Sequence, residues 1–189
     1  MSLFEGTLVA TPHGQCKVED LVPGAQLLDP QGSVHTVAWL RRRRYAEDEA
    51  RERAAPICVR AGALGPGLPH QDLWLSADHG LLLDAYIVNA NALINNRSVH
   101  LVGTLHLPAQ FSLYDIETTR PAALVAHGVP IEASPHLRSI GPLETTDDFG
   151  ARPRVASARL LPRHLARRFE IAYEPPAFTP LKPLLDALP

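Results

Sequence analysis

Cysteine is scarce in this chain: of 189 residues, only Cys16 and Cys58 carry a thiol. Two are too few for the disulfide framework of a small secreted scaffold. Each lies in a strand-like stretch, "GQCKVED" and "PICVRAG", where a small buried residue packs well. An excess of one charge is lacking too. Eighteen Lys and Arg against twenty Asp and Glu leave a net charge of −2, so no strongly basic face invites nucleic acid. No apolar run approaches the roughly 20 residues of a membrane span. No basic-then-apolar signal peptide opens the chain, and the polypeptide is expected to be soluble. An upstream segment, if one exists, could carry an export signal, and the compartment stays open. The histidines show no spacing that reads as a metal site, so neither metal nor other cofactor is expected.

What the chain has in plenty is punctuation. Eighteen prolines and twelve glycines break it into short apolar runs, the pattern of a mostly β domain of short strands. "GTLVATPHGQCKVEDL" reads as strand, turn, strand, and "VPGAQLLDPQGSVHTVAWL" repeats the pattern. "YAEDEARERA" (45–54) is charged and helix-favouring, a solvated excursion between strands. Arg41 to Arg44 precede Glu47, Asp48, Glu49 and Glu52, which cancel their field, and the four read as a solvated strand end. After about residue 137 the character changes to a proline- and arginine-rich tail that packs on the domain or docks a partner.

One stretch departs from this plain pattern. In "WLSADHGLLLD" (74–84), Asp78 and His79 sit between two apolar runs, where an unpaired ionisable group would be costly. Either the pair caps a turn with its polar groups satisfied locally, or it is chemistry held by the core. Ser76 lacks the Gly-x-Ser-x-Gly elbow of a conventional serine hydrolase.

Four segments, "GTLVATPHGQCKVEDLVPGAQLL", "VAWLRRRR", "CVRAGALGPGLPHQDLWLSADHGLLLD" and "YDIETTRPAALVAHGVPIE", occur in the order found in bacterial Hint domains. The chain resembles that family, the autoprocessing module of Hedgehog proteins and inteins, over roughly residues 2–135. The resemblance implies a horseshoe of short strands with internal pseudo-two-fold symmetry, whose N-terminus lies buried beside the mid-chain histidine. Residues 136–189 would be the appended tail.

The resemblance also implies a reaction. The side chain of the first domain residue attacks the carbonyl before it, turning an amide into an ester or thioester. Ser2 would be that nucleophile, and His79, ending Ser76-Ala77-Asp78-His79, would protonate or strain the scissile amide. Ser76 would hydrogen-bond near the same bond, Asp78 would orient the turn or the imidazole, and Asp115 in "LYDIE" would tune the nucleophile or relay a proton. For Asp115, a loop carboxylate bound to a backbone amide is the alternative. The partners implied are an upstream segment in cis and water or another small nucleophile as acceptor.

Three departures from the family pattern stand out. A serine replaces the usual opening cysteine. The terminal His-Asn of inteins gives way to Pro130-Ile131-Glu132-Ala133, which removes splicing and leaves N-terminal cleavage or transfer. Pro121-Ala122 stands where a late-motif histidine is often found. With only Met1 ahead of Ser2, single-turnover self-cleavage would find nothing to release, and the chain is expected to persist intact. The other reading is a silent scaffold that serves as a structural or binding module.

Overall fold

Apolar runs too short for helices and split by Pro/Gly turns can bury their surface only by pairing edge to edge. The computed structural model, which describes residues 1–46, 48–135 and 152–171, does this with fourteen strands. They are β1 (Leu3–Phe4), β2 (Leu8–Thr11), β3 (Gly14–Lys17), β4 (Gln26–Leu28), β5 (Val34–Tyr45), β6 (Ile57–Val59) and β7 (Leu73–Leu75). The others are β8 (Gly80–Leu83), β9 (Tyr86–Asn89), β10 (Val99–Leu101), β11 (Phe111–Thr118), β12 (Ala122–Ala126), β13 (Val129–Pro135) and β14 (Arg154–Val155). Two six-residue helices accompany them, α1 (Asp48–Arg53) inside the charged excursion and α2 (Arg163–Arg168).

The strands form two seven-stranded sheets that share β13, a mostly β fold consistent with a Hint-type horseshoe. One runs β10-β6-β7-β1-β11, with β5 and the end of β13 also on β11. The other joins β3, β2, β12, β13, β8, β9 and β14, while β4 pairs with the start of β5. Pairing is antiparallel except β11–β13 and β14–β9. β12 alternates buried and half-buried residues, as a strand with one core face should. β11 is buried along nearly its whole length because strands flank it on both sides.

A large core gathers Leu75, Leu81, Leu124 and Ile131, and a smaller one gathers Phe4, Cys58, Val102, Leu107, Phe111 and Leu113. Of the two cysteines, Cys58 is buried and Cys16 only partly so. Of the tail expected over 136–189, residues 152–171 are described, and they lie on the domain. Val155, Leu161, Leu165 and Phe169 are all buried in the large core. No helix among the described residues is long and apolar enough to cross a membrane.

The placement of β1 decides where the N-terminus lies. This two-residue strand threads between β7 and β11, pairing Leu3 with both Leu75 and Tyr114. Directly after it the chain must turn, and Gly6 takes φ +80°, a conformation that costs glycine little. Thr7 closes the turn by donating both its amide (3.2 Å) and its hydroxyl (2.7 Å) to the Phe4 carbonyl. The Gly-Thr pair thereby fixes where residue 2 sits.

Candidate functional site

Ser76 to His79 form the corner between β7 and β8, closed by the His79 amide donating to the Ser76 carbonyl at 3.0 Å. Of the two sequence readings of this corner, both are partly right. It is a tight turn, and it is also pressed against the N-terminus. The Ser76 amide donates to the Ser2 carbonyl at 2.9 Å, and the Ser2 amide donates to Ser76 Oγ at 2.8 Å. The Ser76 hydroxyl passes its own hydrogen to Asp78 Oδ1 at 2.7 Å. Asp78 Oδ2 lies 3.6 Å from the Met1 ammonium. Burial would raise the Asp78 carboxyl, but the Ser76 hydroxyl and that ammonium hold it below the usual range.

His79 is buried, with Nδ1 3.1 Å from the Ser2 carbonyl and Nε2 3.1 Å from the Glu132 carbonyl. Burial drives its pKa below the ordinary histidine value, against the pull of the two carbonyls. The ring is therefore neutral at pH 7 and brings one N–H to two acceptors. Glu132 in turn pairs with Arg154, which also donates to Asn89 Oδ1 at 2.9 Å. Through that arginine the segment 152–171 reaches the strand that carries the histidine's second acceptor.

Ser2 is fully buried. Its hydroxyl donates to Asp115 Oδ1 and accepts from Arg43 Nη2 at 2.7 Å. Arg43 Nη2 also reaches Asp115 Oδ1 at 3.0 Å. Arg41 grips Asp115 Oδ2 with Nε at 2.8 Å and Nη2 at 2.5 Å. Burial raises the Asp115 carboxyl, but the Ser2 hydroxyl, Arg41 and the charge of Arg43 outweigh it and hold it below the usual carboxylate range. The alternative for Asp115, a loop carboxylate on a backbone amide, does not hold. It lies within β11, and its partners are side chains.

All five sequence-derived residues thus meet around one peptide bond, Met1–Ser2. One expectation is corrected: Arg41 and Arg43 are not a solvated strand end. The alternation of β5 puts them on one face, and the antiparallel register sets Arg41 opposite Asp115 and Arg43 opposite Leu113. The spacing i, i+2 is visible in the sequence, but their counter-ion is not. Beside the site opens a cleft of about 790 Å³, lined by Met1, Ser2, Arg43, Arg53, Ser76 and Asp78 among others. No cluster of three or more metal-ligating side chains occurs among the described residues.

Gly80, directly after His79, has no room for a side chain. A Cβ there would stand 2.5 Å from Ile87 Cγ2 and 2.6 Å from Glu132 Oε2. Gly80→Ala is expected to destabilise the protein by about 2 kcal/mol, the scale of overpacking in a closed core. Urea denaturation would read it, and a change under about 0.5 kcal/mol would show that the corner yields freely.

Residues 1–136 match the family model described as the Hint domain. No curated protein matches the chain. Among solved structures, a bacterial intein-like domain from Clostridium thermocellum is 14% identical, with a TM-score of 0.48, covering 70% of this chain and 98% of its own. A DnaB intein from Synechocystis is 12% identical, with a TM-score of 0.49, covering 71% of this chain and 99% of its own. The MchDnaB-1 intein is 13% identical, with a TM-score of 0.48, covering 70% and 99%.

Proposed function

The chain belongs to the Hint domain family, and from that premise we propose that it is a Hint scaffold whose processing centre is assembled but silent, serving as a structural or binding module. Residues 2–135 are its working unit, with 136–189 appended. The family's internal two-fold belongs to the same proposal, supported by two sheets that share β13.

One observation carries the reading. Breaking the bond before residue 2 requires a proton on the Ser2 nitrogen, and no donor is aimed there. That nitrogen spends its own hydrogen on Ser76 Oγ, and both His79 nitrogens face carbonyls, those of Ser2 and Glu132. The nucleophile is held as well. Its hydroxyl hydrogen goes to Asp115, whose ionisation is so favoured by Arg41 and Arg43 that it is a weak base.

A second reading, single-turnover self-cleavage, is favoured by the convergence of Ser2, Ser76, His79 and Asp115 on one bond. It would release an upstream segment as an acyl group to water or a small nucleophile. One experiment separates the two. A folded reporter is fused directly ahead of Ser2 and incubated with hydroxylamine, which cleaves esters far more readily than amides. The silent reading expects the fusion intact after a day, by gel and mass. Release at position 2, slowed about 10²-fold or more by His79→Ala, would replace it with self-cleavage.

A further inference from the structure

We infer that Arg41 and Arg43 make position 2 an anion-holding position, so that an ionisable side chain placed there is favoured in its deprotonated form. The inference goes beyond the silent-scaffold reading and stands whether or not the chain cleaves.

Charges around Ser2 Oγ do not balance. There β5 supplies two guanidinium groups, and β11 supplies one carboxylate to meet them. The other charges at the cleft do not close the gap. Asp78 is matched by the Met1 ammonium, His79 is neutral, and Arg53 of α1 lines the cleft as a cation, not an anion. The cluster of Arg41, Arg43 and Asp115 is one negative charge short. The atom best placed to carry it is the one already touching Arg43 at 2.7 Å, Ser2 Oγ. Arg43 also has capacity in reserve, since its buried Nε has no hydrogen-bond partner. An oxyanion or thiolate at that point would complete two carboxylate-like pairings in a site largely removed from water, where such hydrogen bonds strengthen.

Asp115 works against this, because its charge repels a second anion. The geometry decides the balance. Three guanidinium hydrogen bonds hold the carboxylate, and its charge is spread over both arginines before it reaches Oγ. The site therefore suits an activated nucleophile. The missing late-motif histidine is not needed for that.

The test is a thiol titration on Ser2→Cys by NMR of selectively labelled cysteine Cβ carbons, which needs no reagent to enter the buried site. The two native thiols serve as internal references, because both are displaced upward. Burial takes Cys58 to about 11, and burial with the nearby Asp20 and Glu19 raises Cys16. The new thiol should titrate at least about one pH unit below the ordinary value of about 8.5. Arg43→Gln in the Ser2→Cys background should move it up by about one unit, a tenfold loss of thiolate near neutrality. Arg43→Lys, which keeps the charge and loses the fork, should recover part of that shift. The inference fails if the Ser2→Cys thiol titrates at or above the ordinary value, a result that needs no second substitution. It fails also if both Arg43 variants leave the midpoint unmoved. Neither outcome depends on whether the reporter fusion is cut.

Discussion

Phe111→Ala is expected to cost about 4 kcal/mol, within the usual range for deleting a buried aromatic ring, and to loosen the N-terminus with it. Phe111 is 1% exposed and opens β11 opposite Tyr45 on β5. Its ring stacks on Phe4 at 5.1 Å and on Tyr45 at 5.4 Å, and Phe4 meets the edge of Trp74 at 5.0 Å. Those rings belong to β1, β5, β7 and β11. The same four strands deliver Ser2, the two arginines, the Ser76 corner and Asp115. Packing in the smaller core therefore sets the geometry of the site on the other side of the sheet.

Guanidinium-chloride denaturation would measure the loss, a large part of the roughly 5–15 kcal/mol that holds a domain together. Hydrogen exchange would supply the second readout. The Ser76 amide, bound to the Ser2 carbonyl, should lose protection beyond what global destabilisation explains. A loss under about 1 kcal/mol, or exchange at Ser76 that merely tracks global stability, would show that the aromatic cluster does not hold β1.

Some of this is open to sequence reading, and the reason is local. Strand length, turn chemistry and the polar corner at 76–79 are properties of contiguous residues, so "SADH" between apolar runs announces itself. The position of Ser2 comes from resemblance, because nothing in "MSLFEG" says that two residues will thread between distant strands. Arg41 and Arg43 escape a reading from sequence for a related physical reason. Their role depends on the register of β5 against β11, some 70 residues apart, and a run of arginines followed by acids looks the same whether it is solvated or paired. Glu132 lies inconspicuous inside an apolar run. Its part comes from its backbone carbonyl, which carries no sequence signal, and from Arg154 far along the chain. The spaced leucines of the tail hint at a buried face, and Leu161 and Leu165 supply it. What they pack on is not legible in the sequence.

Removing the charge at residue 115 tests how much of the fold rests on the cluster. With Asp115→Asn, Arg41 and Arg43 face each other without a counter-ion beside a buried hydroxyl. Breaking a fully buried pair from one side costs about 3–5 kcal/mol. Here the arginine side chains remain 51% and 40% exposed and can turn to water, so a loss of about 2–3 kcal/mol at pH 7 is expected. The pH dependence gives the sharper check. The Asp115 pKa is lower in the folded chain than in the unfolded one. At acid pH the unfolded state therefore binds the proton more readily, and stability rises with pH through that interval. The contribution is fully present above the ordinary aspartate value of about 3.9 and is lost as pH falls through the lower folded value. Urea melts of parent and variant should thus differ by a constant amount from about pH 5 to 7 and converge as the pH drops below about 3.9. Other titrating groups, His79 among them, act on both proteins and cancel in the difference. A gap that persists undiminished in acid would mean that Asp115 acts through shape and hydrogen bonding alone. A gap absent at pH 7 would mean that the arginines hold the N-terminus without it.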